Sequence, residues 1–106
     1  MTVPVLPEAQ LRFDALLRAV EENQYDAFIA PGNPTFQKGI TRETFASVSG
    51  KVAPLLKAGY EVLYLGQMEK AGHDIYLWRI KYADSGDDTL AHLALREGLV
   101  GGFWLT

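Results

Sequence analysis

The chain has 106 residues, 48% of them apolar and 22% charged, which suffices for one hydrophobic core and is too apolar for a disordered segment. Ten basic against thirteen acidic side chains leave a net charge of −3, and this argues against a general nucleic-acid binder. The absence of cysteine excludes disulfides, thiolate metal sites and a cysteine nucleophile, while no apolar run approaches the ~20 residues of a membrane span.

The opening Met1-Thr2-Val3-Pro4-Val5-Leu6-Pro7 has neither a basic region nor a long apolar stretch. It does not read as a secretory signal, and the expected location is the cytoplasm. A first helix is predicted from just after Pro7, which suits a first-turn position, to about Asn23. Phe13, Leu16, Leu17 and Val20 form its apolar stripe, extended by Leu6 and Ala9, and Arg12, Asp14, Arg18, Glu21 and Glu22 fall largely off it. Residues 25–30 read as a short second helix stopped by Pro31-Gly32, and residues 31–40 as a loop rich in proline and glycine. Thr41 then caps a further helix, with Glu43 in its first turn and Phe45, Val48, Val52, Leu55 and Leu56 as its apolar stripe. Pro54 predicts a kink near Ser49-Gly50, and Gly59 a stop.

From Tyr60 the apolar period changes to two. Four strands are predicted at about 60–69, 75–83, 88–96 and 99–105, joined by connections too short for a parallel crossover. The fold class is therefore α+β: one domain over residues 1–106, with two to three N-terminal helices (about 7–58) packed on a curved four-stranded antiparallel meander (about 60–105).

Turn lengths set an expected register. Two-residue turns at Ala71-Gly72 and Glu97-Gly98 pair Lys70 with His73 and Arg96 with Leu99; a four-residue loop at Asp84–Asp87 pairs Ala83 with Asp88. Extrapolated evenly, these registers put Leu63, Leu65, Tyr76, Trp78, Ile80, Tyr82, Ala91, Leu93, Leu95, Val100 and Trp104 on the core face. They put Val62, Tyr64, Leu77, Arg79, Lys81, Leu90, His92, Ala94, Phe103 and Leu105 on the outer face. That outer face is too apolar for a sheet open to water. It is expected to form a homodimer interface, with Tyr64, Leu77, Arg79, Leu90, His92, Phe103 and Leu105 in the contact; cover by the N-terminal segment or another partner is the alternative.

Two stretches, Asn23-Gln24-Tyr25-Asp26-Ala27-Phe28 and the ending Leu95-Arg96-Glu97-Gly98-Leu99-Val100-Gly101-Gly102-Phe103-Trp104, resemble parts of the cystatin-like group of α+β cone folds. Nearly the whole chain is similar to a short member of the nuclear transport factor 2-like superfamily, which includes ketosteroid isomerases and small polyketide cyclases. The resemblance implies a dimer with a pocket between helix layer and sheet. The chain shows no clear match to the catalytic aspartate and oxyanion-binding pair of the isomerases, and one fold of this kind hosts many functions.

Two constellations invite a chemical reading. Tyr64, Arg79 and His92 are expected in one cross-strand row, a phenol, guanidinium and imidazole able to hold a carboxylate or phosphate, or else polar contacts within the dimer. Tyr76, Trp78, Tyr82 and Trp104, with Asp26 as a base of raised pKa, are expected to line a pocket for a small apolar ligand; the plainer reading is an aromatic core and a solvated Asp26. The two histidines, His73 and His92, fall on different elements and make a poor metal site. Residues 84–88 lack the spacing and terminal glutamate of a calcium loop, and the glycines do not form a phosphate loop. No cofactor is expected. The leading expectation is a small non-catalytic domain that dimerises and binds a partner or small ligand, with no nucleic acid and no membrane involved. The alternative is an isomerase- or cyclase-like enzyme using the helix–sheet pocket.

Overall fold

A computed structural model describes residues 7–106; Leu6 of the expected first stripe, and the segment before it, lie outside the described residues. Four helices precede four strands, giving the α+β order expected. α1 (Pro7–Glu21) buries Ala9, Phe13, Leu16, Leu17 and Val20 along one stripe, and α2 (Tyr25–Ile29) is a short helix that buries Phe28.

α3 (Pro34–Gly39) occupies part of the stretch read above as loop. The Asn33 side chain accepts a hydrogen bond from the Phe36 N–H at 2.8 Å, and Pro34 stands where a helix has no use for the missing N–H. The same residues that punctuate a loop here start a helix. α4 (Arg42–Lys57) is capped by Thr41, whose hydroxyl accepts from the Thr44 N–H at 3.1 Å. It runs unbroken across Pro54, whose missing N–H forfeits the bond to the Gly50 carbonyl without ending the helix. Its buried line is Phe45, Ser49, Ala53 and Leu56, so Val48 turns outward instead of joining the core. Ser49 Oγ donates to the Val20 carbonyl at 2.6 Å, tying α4 to the end of α1.

β1 (Tyr60–Lys70), β2 (His73–Tyr82), β3 (Thr89–Arg96) and β4 (Leu99–Leu105) form one antiparallel sheet in chain order. Both two-residue turns hold, with Lys70 opposite His73 and Arg96 opposite Leu99. Ala71 and Gly72 have φ of 53° and 79°, Glu97 and Gly98 φ of 53° and 80°, the positive pair that a type I′ turn requires. Between β2 and β3 the pairing is Ile80 with Thr89 and Trp78 with Ala91, two residues from the expected register. A slip of two leaves every side chain on its face.

Two irregularities of a single residue do change faces. In β1 the register shifts between Tyr64 and Gly66, so Tyr64 lies opposite Trp78 and Val62 opposite Ile80. Both thereby join the helix side, while Leu63 and Leu65 are 49% and 51% exposed. In β4 Leu95 faces Val100 but Ala94 faces Gly102, leaving Gly101 as the extra residue of a bulge. Phe103 then lies opposite Leu93 on the core face, Leu105 opposite Ala91, and Trp104 opposite His92 on the outer face. These placements correct the expected facing of Val62, Leu63, Tyr64, Leu65, Phe103, Trp104 and Leu105. The gain from the second bulge is direct: Phe103 enters an aromatic cluster, 5.9 Å from Phe28 and 6.3 Å from Phe13 between ring centroids. At the centre, Phe13 stacks on Trp78 at 4.1 Å with 12° between planes.

Candidate functional site

Around Tyr76, Trp78 and Tyr82, where a pocket was expected, the helix–sheet space is filled. Tyr76, Trp78 and Tyr82 are buried core residues. The Tyr82 hydroxyl donates to Thr89 Oγ1 at 2.9 Å, and Trp78 is covered by Phe13. The Trp78 Nε1–H has no acceptor among the described residues. Burial pushes the Tyr76 phenol above its ordinary pKa, with the negative charge of Asp74 and then Tyr64 and Glu8 adding to it. Asp26 does not reach these rings. Its carboxylate, 82% exposed, pairs with the Arg42 guanidinium at 3.0 Å, and Arg42 lies over the Tyr25 ring. Trp104 is on the other side of the sheet. Three of the five expected pocket residues therefore sit together, as core, and two sit elsewhere.

The expected Tyr64–Arg79–His92 row is dispersed as well. Tyr64 faces the helices beside Trp78; Arg79 faces out between Leu63 and Leu90, and His92 between Leu77 and Trp104. Arg79 Nε is 4.0 Å from Asp88 Oδ2, a weak exposed pair. The His92 ring stands edge-on to Trp104 at 6.4 Å, and its Nε2 is buried without a partner among the described residues.

What the structure brings together instead is a cleft of about 300 Å³ beside β4, lined by Val20, Phe28, Ile40, Thr44, Phe45, Val48 and residues 103–106. Phe103 and Leu105 belong to the core face of the strand and Trp104 to the outer face, so a space that touches all three runs along the strand's free edge. Leu90 and Thr106 exchange both backbone hydrogen bonds, at 2.9 and 3.0 Å. By the alternation of an antiparallel ladder, the N–H and C=O groups of Phe103 and Leu105 turn away from β3, toward the cleft. At the other end of β4 the edge is already taken: Val100 accepts from the Asn33 N–H and donates to the Pro31 carbonyl, both at 2.9 Å. The lining holds no charged side chain, and both threonine hydroxyls are engaged, Thr44 with Thr41 and Thr106 with the Leu90 carbonyl. Such a surface suits an apolar group and offers no acid or base for proton transfer.

The outer sheet face is the second feature. Leu63, Leu65, Met68 and Trp104 are exposed on it, and Ile75, Leu77, Leu90 and His92 are half-buried beside them. A shallow depression of about 440 Å³ runs across its middle from Met68 to Trp104. The benzo ring of Trp104 occupies the space beside Gly102, where a Cβ would overlap it. Trp104 thus forms a wall shared by the depression and the cleft.

Ile40 and Thr44 were not singled out in the sequence, and Val48 was read there as part of the buried stripe of its helix, whereas it is 39% exposed and lines the cleft. The one signal was Val48 itself, an apolar residue a single position away from the Phe45–Ser49–Ala53 line. Among the described residues no helix is long and apolar enough to cross a membrane, and no group of three or more His, Asp or Glu side chains is placed to hold a metal ion. In comparisons with known proteins, no family model matches the chain and no curated protein matches it, so its function is to be read from this geometry.

Proposed function

We propose that this protein is a small non-catalytic binding domain that pairs with a second copy through the outer sheet face and receives an apolar ligand or apolar partner group in the cleft beside β4. Kinship with the nuclear transport factor 2-like superfamily and a cytoplasmic location belong to the same proposal. The observation that carries it is the apolar outer face. Four strands at ~4.8 Å spacing, of seven to eleven residues at ~3.3 Å, give the sheet roughly 600 Å² in projection, somewhat below the ~800 Å² per partner of a stable interface. Exposed Arg79 and Lys81 share this face, and its apolar part, from Leu63 and Met68 to Trp104, is of the kind that often marks an interface. The cleft supports binding over catalysis, because an isomerase- or cyclase-like mechanism needs a positioned base and the lining has none.

Sedimentation equilibrium across a concentration series tests the pairing. The wild type should sediment as a dimer, and Leu77→Arg, which puts a charge at the middle of the face, should shift it to monomer with an unchanged circular dichroism spectrum. A wild type that stays monomeric at the highest concentration overturns the dimer. For the cleft, the fluorescence of an anilinonaphthalene sulfonate probe should rise on binding and fall again in Val48→Glu, whose carboxylate repels the sulfonate; equal binding to both proteins removes the cleft as its site.

A further inference from the structure

A face-to-face dimer leaves the β1 edge unpaired among the described residues, and that edge has a character of its own. Ala83 N–H donates to the Gly59 carbonyl at 2.9 Å, which fixes the alternation in the first half of the strand: Glu61 and Leu63 bond toward β2, and the N–H and C=O groups of Tyr60, Val62 and Tyr64 point outward. The side chains of the same three residues face the helices. Between Tyr60 and Val62 and α1 runs a cleft of about 440 Å³ with Phe13 and Leu17 at its base; Asp14, Glu21 and Glu22 line it with one cation, Arg18, which pairs with Glu22 at 3.3 Å. Among the described residues neither Asp14 nor Glu21 has an ion-pair partner; Asp14 accepts only from Gln10. Tyr60 registers both charges, since its phenol is held above its ordinary pKa by burial first and then by Glu21 and Asp14. Beyond Tyr64 the edge is interrupted by the bulge, where Gly66 adopts φ of +148°.

We propose that residues 60–64 of β1, with the acidic cleft beside α1, form a docking edge for an extended segment of another protein in which basic residues alternate with apolar ones. Such a segment adds a fifth strand, and its main chain supplies the hydrogen bonds that Tyr60, Val62 and Tyr64 lack. Its residues opposite Tyr60 and Val62 project into the cleft. A lysine or arginine there lays its aliphatic stem on Tyr60 and Val62, exposed at 40% and 38%, and carries its charge to Asp14 and Glu21. The intervening residues point the other way, where Leu63 extends an apolar surface. Charge decides the occupant. A second copy docked edge to edge would set the same carboxylates against each other in a chain of net charge −3, whereas a basic segment neutralises them. The bulge limits the paired length to about five residues, which implies modest affinity and a salt-sensitive encounter.

Blocked hexapeptides alternating arginine with valine, glutamate with valine, and arginine with valine N-methylated at its arginines test this by backbone amide NMR on the ¹⁵N-labelled protein. The first should shift the amides of Tyr60, Val62 and Tyr64. The other two should bind at least tenfold more weakly, the one for its charge and the other for its missing N–H donors. Asp14→Asn with Glu21→Gln should weaken the first peptide about tenfold, the factor expected of two exposed ion pairs, without moving amides in the core. The proposal is overturned if the glutamate peptide binds equally well, if the shifts fall along β4 or the outer face, or if no peptide binds at about 1 mM, an affinity near the weak limit of specific recognition. It is equally overturned if the β1 amides shift with protein concentration alone and ignore the peptide, since the occupant is then a second copy.

Discussion

Exchanging one aromatic residue for aspartate at two successive positions of β4 gives opposite results if the bulge at Gly101 sets the facing. Phe103 is 8% exposed and Trp104 49%. Phe103→Asp removes a ring packed against Phe13 and Phe28, a loss of about 3–5 kcal/mol, and strands a carboxylate among aromatic rings at a further cost of several kcal/mol. The total approaches or exceeds the stability of a domain this size, about 5–15 kcal/mol. Trp104→Asp gives up about half the buried surface of an indole, roughly 125 Å² and at most ~3 kcal/mol, and its carboxylate stays in water. Urea unfolding followed by circular dichroism, at a protein concentration low enough to dissociate any dimer, should show no cooperative transition for Phe103→Asp and a clear one for Trp104→Asp. The reverse outcome, with Phe103→Asp folded and Trp104→Asp unfolded, would mean that β4 continues the even register of its turn and that the facing described above is wrong.

Ser49→Ala should cost about 1 kcal/mol in urea unfolding, the worth of a buried hydrogen bond, because the Val20 carbonyl loses the hydroxyl 2.6 Å away; a change below a few tenths would mean that this contact adds nothing to holding α4 on α1. Ala71 occupies a left-handed turn position with φ of 53°, and Ala71→Asn should stabilise the fold by about 0.5–1 kcal/mol, read as a higher urea midpoint with unchanged slope. Tyr60 and Tyr76 both have raised pKa values in the folded chain, chiefly from burial. The folded state thus holds their protons more tightly than the unfolded state, and stability should fall as pH rises above the ordinary tyrosine value of 10.0. Thermal unfolding between pH 8 and 11 checks this, and Glu21→Gln should reduce the alkaline loss carried by Tyr60.

Patterns that repeat over many residues were legible in the sequence, and events of a single residue were not. The α1 stripe, the change of period at Tyr60 and both two-residue turns follow from spacing and from Ala71-Gly72 and Glu97-Gly98 at the turn tips. The Trp78 and Tyr76 rings were placed correctly on the helix side even though the β2–β3 register is two residues off, because parity survives an even shift. Parity does not survive a bulge. The shift between Tyr64 and Gly66 moved Tyr64 out of the expected polar row, and the extra Gly101 exchanged Phe103 with Trp104, so both candidate constellations came apart. Glycines stand at each of those points, but glycine marks a place where a strand can bend without saying that it does. The β4 cleft was hidden for a different reason: its walls come from residues as far apart as Val20 and Thr106, which meet only once α2 and α4 have packed on α1.

The placing of all helices before all strands has a consequence for synthesis. Phe13 ends up between Trp78 and Phe103, which leave the ribosome 65 and 90 residues later. At about 5–20 residues per second, the apolar stripe of α1 waits roughly 5–18 s for its last partner. During that interval the helical half can only cover its apolar surface with itself, through contacts such as Phe28 with Phe45, or with a chaperone. The meander, by contrast, pairs each strand with the one just made. Translation speed through residues 60–105 therefore sets how long the nascent chain stays sticky, and slow codons there should lower the yield of folded protein more than slow codons in the helical half.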